Sequence, residues 1–330
     1  MENIYNLITR FGNKNSIGSL IYQKGDKLYY AFIDKYIEKN QLHYYLKISF
    51  EYCTIKKNDL PLTALIKYGK IYSNGNHKVA DYKLIKLNQL PGSYYPRIFR
   101  PFIREKIIGR DNKIEKLEEA LLGLPDFIPH DFTLQTIAVN QLGALKRILL
   151  SIFDTTYPAT NNLKTYGQNI KNLLVLACIE VETQLKGIFK ANESTSKTNY
   201  TTKDYAKLKS ILRLDKYQVR YPYYPQLKPF NPFKNWSANS PTISIKWYDS
   251  YNAIKHNGEL EFSRATLENA ILAFSAVAIL LKAQYGDNIP YWEEKIGGFM
   301  EIEENIVWKI EEQILPPLNK GGWHSVKLNL

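Results

Sequence analysis

The alternation of apolar and polar positions divides the chain near residue 100. In "SLIYQKGDKLYYAFIDKYIEKNQLHYYLKISFEYC" β-branched and aromatic residues alternate with polar ones, the period of half-buried strands, and "QKGDK" supplies a turn. "GKIYSNGNHKVADYKLIKL" repeats the pattern around Asn74-Gly75, a tight-turn signal. No long helical period intervenes, so the strands are expected to pair antiparallel in a small sheet or half-open barrel. "PGSYYPRIFRP" closes the region and reads as a linker because of its glycine and prolines.

From Asp111 the period becomes helical. "DNKIEKLEEALLGL" predicts a short amphipathic helix from an Asp-Asn cap to Gly123. "HDFTLQTIAVNQLGALKRILLSIFDTTYP" predicts a second, stopped at Pro158. Gln168 to about Lys190 predicts a third, apolar nearly all round in its middle and therefore expected at the centre of a bundle. "TTKDYAKLKSILRL" opens on a Thr/Asp cap, and two helices close the bundle: Ile245 to His256, and Ser263, as N-cap, to about Tyr285. The last forty residues are locally acidic and fit a strand pair, a helix or a docked tail. The pattern defines an α+β chain: a β-rich domain over 1–100, a helical bundle over 111–286 and a C-terminal extension over 287–330.

Composition adds a partner class. The 330 residues suit two domains, and the net charge of +12 with a pI near 9.3 favours an anionic partner, nucleic acid first. A lysine-rich surface serving solubility explains the same charge. Two cysteines, Cys53 and Cys178, make neither a disulfide framework nor a zinc site. "MENIYNLITRFG" lacks the features of a signal peptide, and the apolar run Ala270 to Leu281 is too short to span a bilayer. A soluble, cytoplasmic protein is expected, without membrane contact.

Familiar catalytic signatures are missing: there is no P-loop, G-x-G-x-x-G, G-x-S-x-G or H-E-x-x-H. His43, His77, His130 and His324 have no metal-ligand spacing, so neither metal nor cofactor is expected. The proline- and aromatic-rich stretch "YQVRYPYYPQLKPFNPFKNWSANSPT" has two readings. Aromatics interleaved with Arg220, Lys228 and Lys234 would suit stacking on single-stranded nucleic acid. The same aromatics would also serve to pack the loop onto the bundle. Glu180 and Glu182 lie two apart on a helix, so only one faces the interior easily, and a residue on the His256 helix is placed to partner it.

The densest chemistry lies in "WYDSYNAIKHNGEL". On a helix, Tyr248, Asn252 and His256 share one face at i, i+4 and i+8, with Tyr251 and Lys255 on a neighbouring one. Asn257-Gly258 marks the helix end, which leaves an imidazole at a C-terminus, suited to general acid–base work. Tyr248, Tyr251, Asn252 and Lys255 are placed to orient a phosphate. A helix-capping role, pinning this helix to the proline-rich loop, accounts for the same residues.

"YNAIKHN" resembles the motif helix of the HEPN superfamily, all-α domains of prokaryotic defence and toxin systems. Their signature is an arginine, four to six variable residues and a histidine, often with a polar residue after the arginine. His256 matches the histidine and Asn252 the polar residue; the arginine position holds Tyr251. The wider stretch from Leu163 to Gly286 is similar to a group of bacterial proteins with a W-Y-x-x-Y-N-x-x-K-H segment and no established activity. The resemblance implies a HEPN-like bundle with RNA, ahead of DNA, as partner. It also implies assembly as a homodimer or within a defence complex, either antiviral or toxin–antitoxin. Two activities follow from it. One is a metal-independent ribonuclease using His256, with Asn252, Lys255 and Tyr251 around it. The other is a catalytically silent module that binds nucleic acid or protein, which the absent arginine favours, since lysine is no substitute for a bidentate clamp.

Overall fold

The structure is a computed structural model that describes residues 2–11, 14–38, 41–68, 82–102, 107–108, 114–115, 131–192, 199–287 and 289–328. The tight turn expected at Asn74-Gly75, together with His77 and His130, lies outside them. The chain divides into two compact units. One gathers Met1–Tyr94, Arg100–Pro129 and Trp308–Val326; the other gathers Tyr95–Phe99, His130–Val307 and Lys327–Leu330.

The first unit is built on a sheet. The period-two segments form β1 (Glu2–Phe11), β2 (Lys14–Lys24), β3 (Lys27–Glu38) and β4 (Gln41–Thr54). A short helix α1 (Pro61–Tyr68) and β5 (Tyr82–Lys86) follow. The sheet is antiparallel throughout in the order β4-β3-β2-β1-β5. Gly25 takes a positive φ of 63° in the two-residue turn that joins β2 to β3, where Lys24 pairs with Lys27. One face buries Ile4, Leu20, Tyr22, Ile33, Tyr44 and Leu46 with Leu87 and Leu315, and a second cluster buries Ile21, Leu28 and Cys53 with Ala64 and Leu65 of α1. The sequence pattern did not predict α1. It is eight residues long, and Pro61 at its first position is the cue. Ile114–Glu115, inside the helix expected over 111–123, pair instead as a short antiparallel ladder with Ile107–Ile108, and the rest of that stretch is outside the described residues.

In the helical unit the Thr/Asp cap and the Asn257-Gly258 stop fall at observed helix ends. Helix α2 (Phe132–Thr155) starts where the Asp131 carboxylate accepts from Leu134 N at 3.0 Å. Helix α3 spans Gln168–Asn192, and α4 spans Thr202–Ile211, where Asp204 reaches back to Thr201 N at 2.8 Å. Strand β6 (Tyr217–Arg220), α5 (Lys246–His256) and α6 (Leu267–Tyr285) follow, and β7 (Glu301–Glu304) pairs antiparallel with β6. The cap of α6 is Thr266, whose hydroxyl accepts from Asn269 N. Ser263 lies one turn earlier in a 3-10 segment, because a tight turn at Phe262–Arg264 precedes the helix.

The central helix is α6 and not α3. Its residues from Ala270 to Leu281 are buried apart from a half-exposed Leu272, whereas α3 leaves Leu176 (40%) and Ile179 (47%) exposed. By length and composition α2 and α6 are long and apolar enough to cross a membrane; burial among other helices accounts for the apolarity of α6. The last forty residues are shared between the units, with β7 in one and the segment Trp308–Val326 in the other. That segment includes His324–Ser325, which runs parallel to Ser93–Tyr94.

Candidate functional site

Helix α5 carries the motif, and its inward side is a stripe of Trp247, Tyr248, Tyr251 and Ile254, the spacing of a single buried helix face. Trp247 Nε1 donates to Pro232 O at 2.9 Å, which fixes the helix start under the proline-rich loop. Ser250 accepts from Asn269 Nδ2 of α6 at 3.0 Å, and Asp249 is ion-paired to Arg264. The C-terminus ends at Asn257, whose N–H donates to Ala253 O. At Gly258 a Cβ would sit 3.1 Å from Ile254 O, a tight contact, and the backbone there is not left-handed.

The expected face of Tyr248, Asn252 and His256 comes apart in depth. Tyr248 is buried, Asn252 half-buried and His256 exposed. Eight residues of α-helix overshoot two turns by about 80°, which carries His256 off the inward meridian. Tyr251, at the arginine position of the resemblance, is 3% exposed, and its ring packs on that of Tyr248 with centroids 5.6 Å apart. Lys255 is exposed with its Nζ 5.6 Å from the Tyr251 ring centroid. The structural role for His256, which requires a buried imidazole, is not what the fold shows; the pinning is done by Trp247 and Tyr248.

Beneath α5 lies a carboxylate. Tyr248 OH donates to Glu182 Oε1 of α3 at 2.7 Å, the partnership expected for one of the two glutamates. Glu180 takes the other direction and accepts from Gln184 Nε2 at 2.5 Å. Burial first, and then the Glu182 carboxylate, hold the Tyr248 phenol far above its ordinary range; the same causes push Tyr251 up to about 12. Burial and Glu182 also raise the Cys178 thiol and Tyr205. Both motif tyrosines are therefore neutral over the physiological range. On the other side of Tyr248 an apolar cavity of about 10 Å³, the space of one water, is walled by Tyr205, Phe233, Trp236 and Trp247.

The proline-rich loop packs inward. Tyr217, Tyr221, Phe230, Phe233 and Trp236 are buried, while Tyr223 stays 70% exposed, so the stacking surface expected for single strands is not formed by these rings. Arg220 is paired to Glu303 of β7 at 2.6 Å, which offsets its charge. Lys228 and Lys234 remain exposed. Among the described residues no group of three or more His, Cys, Asp or Glu side chains is arranged to hold a metal ion. Sequence reasoning missed a second polar cluster, in which Arg97 meets Gln184 and Gln284; these partners lie 87 and 187 residues away, so no local pattern marks them.

Compared with protein-family models, curated proteins and solved structures, the chain matches none.

Proposed function

We propose that the helical unit is a HEPN-like module of a prokaryotic defence or toxin system that holds RNA at the exposed end of α5. Lys255 and His256 face the phosphates, and Tyr248 and Tyr251 anchor the helix from inside. The observation that carries this reading is the burial of Tyr251: at 3% exposure it offers no solvent-facing donor where the signature arginine would clamp a phosphate. The net charge of +12 and the exposed Lys228 and Lys234 support an anionic partner.

A second reading rests on the exposure of His256 beside Lys255 at a helix terminus. In it the imidazole takes the proton of a 2′-hydroxyl as that oxygen attacks the adjacent phosphorus and the 5′-oxygen leaves, giving a 2′,3′-cyclic phosphate.

Filter retention of single-stranded RNA in EDTA over a salt series, with wild type, Lys255→Ala and His256→Ala, separates the two. The binding module predicts retention that weakens with salt, intact RNA, and a log–log salt slope smaller by about 0.7 in Lys255→Ala. Cleavage to cyclic-phosphate ends that disappears in His256→Ala would establish the second reading. Neither retention nor cleavage would refute both.

A further inference from the structure

Tyr166 stands at the surface of the helical unit, just ahead of α3, and is 53% exposed. Backbone bonds fix its position. Leu267 N donates to Thr165 O at 2.8 Å, Glu268 N donates to Leu163 O at 2.9 Å, and Tyr166 itself bridges to Thr266, the cap of α6. Its ring packs edge to face with that of Phe262, with centroids 5.8 Å apart and planes at 86°. Phe262 is half-buried but is not one of the residues packed against the hydrophobic core of the unit. The pair is therefore a surface platform on a preset backbone, which lowers the cost of receiving a ligand.

A cation joins this platform to the motif end of α5. Lys171, in the first turn of α3, holds its Nζ 5.6 Å from the Phe262 centroid and 3.7 Å from where a Cβ on Gly258 would sit. Gly258 comes two residues after His256. Asp249 and Glu261, the acids nearest in sequence on either side of this end that form ion pairs, both turn to Arg264. No carboxylate among the described residues pairs with Lys171. Lys164, exposed two residues before Tyr166, adds a second positive charge. An exposed ring bracketed by lysines is the arrangement that takes a base on its face and the adjoining phosphate on the cation. A duplex keeps its bases stacked inside, and only an unpaired base offers that face.

Resting on the reading of α5 as an RNA-holding helix, we infer that Tyr166 is the base-stacking subsite of the same site. An unpaired base lies on the Tyr166 ring, and Lys171 holds the phosphate that leads from it toward Lys255 and His256. The substrate class is single-stranded RNA or an unpaired loop.

The test is filter retention in EDTA of an unstructured RNA oligomer, its abasic ribose-phosphate counterpart and a duplex of equal length. Wild type should retain the oligomer more tightly than either of the others. Tyr166→Ala should weaken the oligomer on the order of tenfold and leave the abasic strand unchanged, while Tyr166→Phe, which keeps the ring, should match wild type. Lys171→Gln should weaken oligomer and abasic strand alike, with a log–log salt slope smaller by about 0.7. Should Tyr166→Ala lose its helical circular dichroism, Tyr166→Leu carries the same comparison, since it keeps apolar bulk without a π face. Oligomer retention that either variant leaves unchanged, or a duplex held by wild type as tightly as the single strand, overturns the subsite and leaves the RNA reading standing. No retention of any of the three by wild type refutes the RNA reading and the subsite with it.

Discussion

Tyr248→Phe isolates one hydroxyl at the junction of α5 and α3. The ring remains and packs as before, so the change removes only the donor to Glu182 Oε1, at 2.7 Å. A hydrogen bond to a charged group contributes about 1.5–3 kcal/mol. Glu182 is half-buried and water can replace part of the bond, so the lower end applies, ~1.5 kcal/mol. In a unit of this size that loss lowers the melting temperature by about 3–6 °C. Urea unfolding followed by far-UV circular dichroism gives the free energy, and a cycle with Glu182→Gln gives the coupling, expected near 1 kcal/mol. RNA retention should not change, because the hydroxyl points inward. A loss below about 0.3 kcal/mol together with impaired retention would refute the assignment of Tyr248 as an anchor and move it to the RNA side.

Burial holds the Glu180 carboxyl above its ordinary value of 4.5, with the Gln184 bond and Arg97 acting against that rise. A raised carboxyl favours the folded state below the unfolded value, and the benefit is lost as pH rises through the folded value. Glu180→Gln should therefore gain stability relative to wild type between pH 4 and pH 7, read from urea midpoints; a pH-independent difference would contradict this. Gly187→Ala would ordinarily gain about 1 kcal/mol of helix propensity. Here the new methyl meets the Arg97 guanidinium, so a net loss of about 1–3 kcal/mol is expected, and a thermal melt showing stabilisation would count against that placement of Arg97. Asp204→Ala leaves Thr201 N without its 2.8 Å acceptor and should lower stability by about 1 kcal/mol, measurable in the same urea series.

Much of the fold was legible because its cues are local. The Thr/Asp cap at Thr201 with Asp204, and the Asn257 stop, set helix ends to within a residue or two. The alternating strands gave an antiparallel sheet. What failed depended on neighbours: α3 and α6 are both apolar in their middles, and only packing decides which is surrounded. The candidate site shows the same division. A glutamate partner on the motif helix followed from spacing, but the depth of Tyr251 did not, since an aromatic residue fits either a core or a stacking surface. The Arg97 cluster was hidden for a further reason. Its residues were read as a linker, and the buried glutamines that receive them are polar letters on otherwise apolar faces.

The shared C-terminal segment has a consequence in time. Leu46 of β4 gives its N–H to Pro317 O and accepts from Asn319 N, and Gly92 N donates to Leu315 O. A ribosome adding 5–20 residues per second delivers residue 308 on the order of ten to fifty seconds after β4 is complete. Through that interval the outer edge of β4 waits with open backbone groups while every residue of the helical bundle is synthesised. An edge of that kind recruits foreign strands. The nascent sheet is thus the stage of this protein's life most exposed to aggregation, and the place where a chaperone would act.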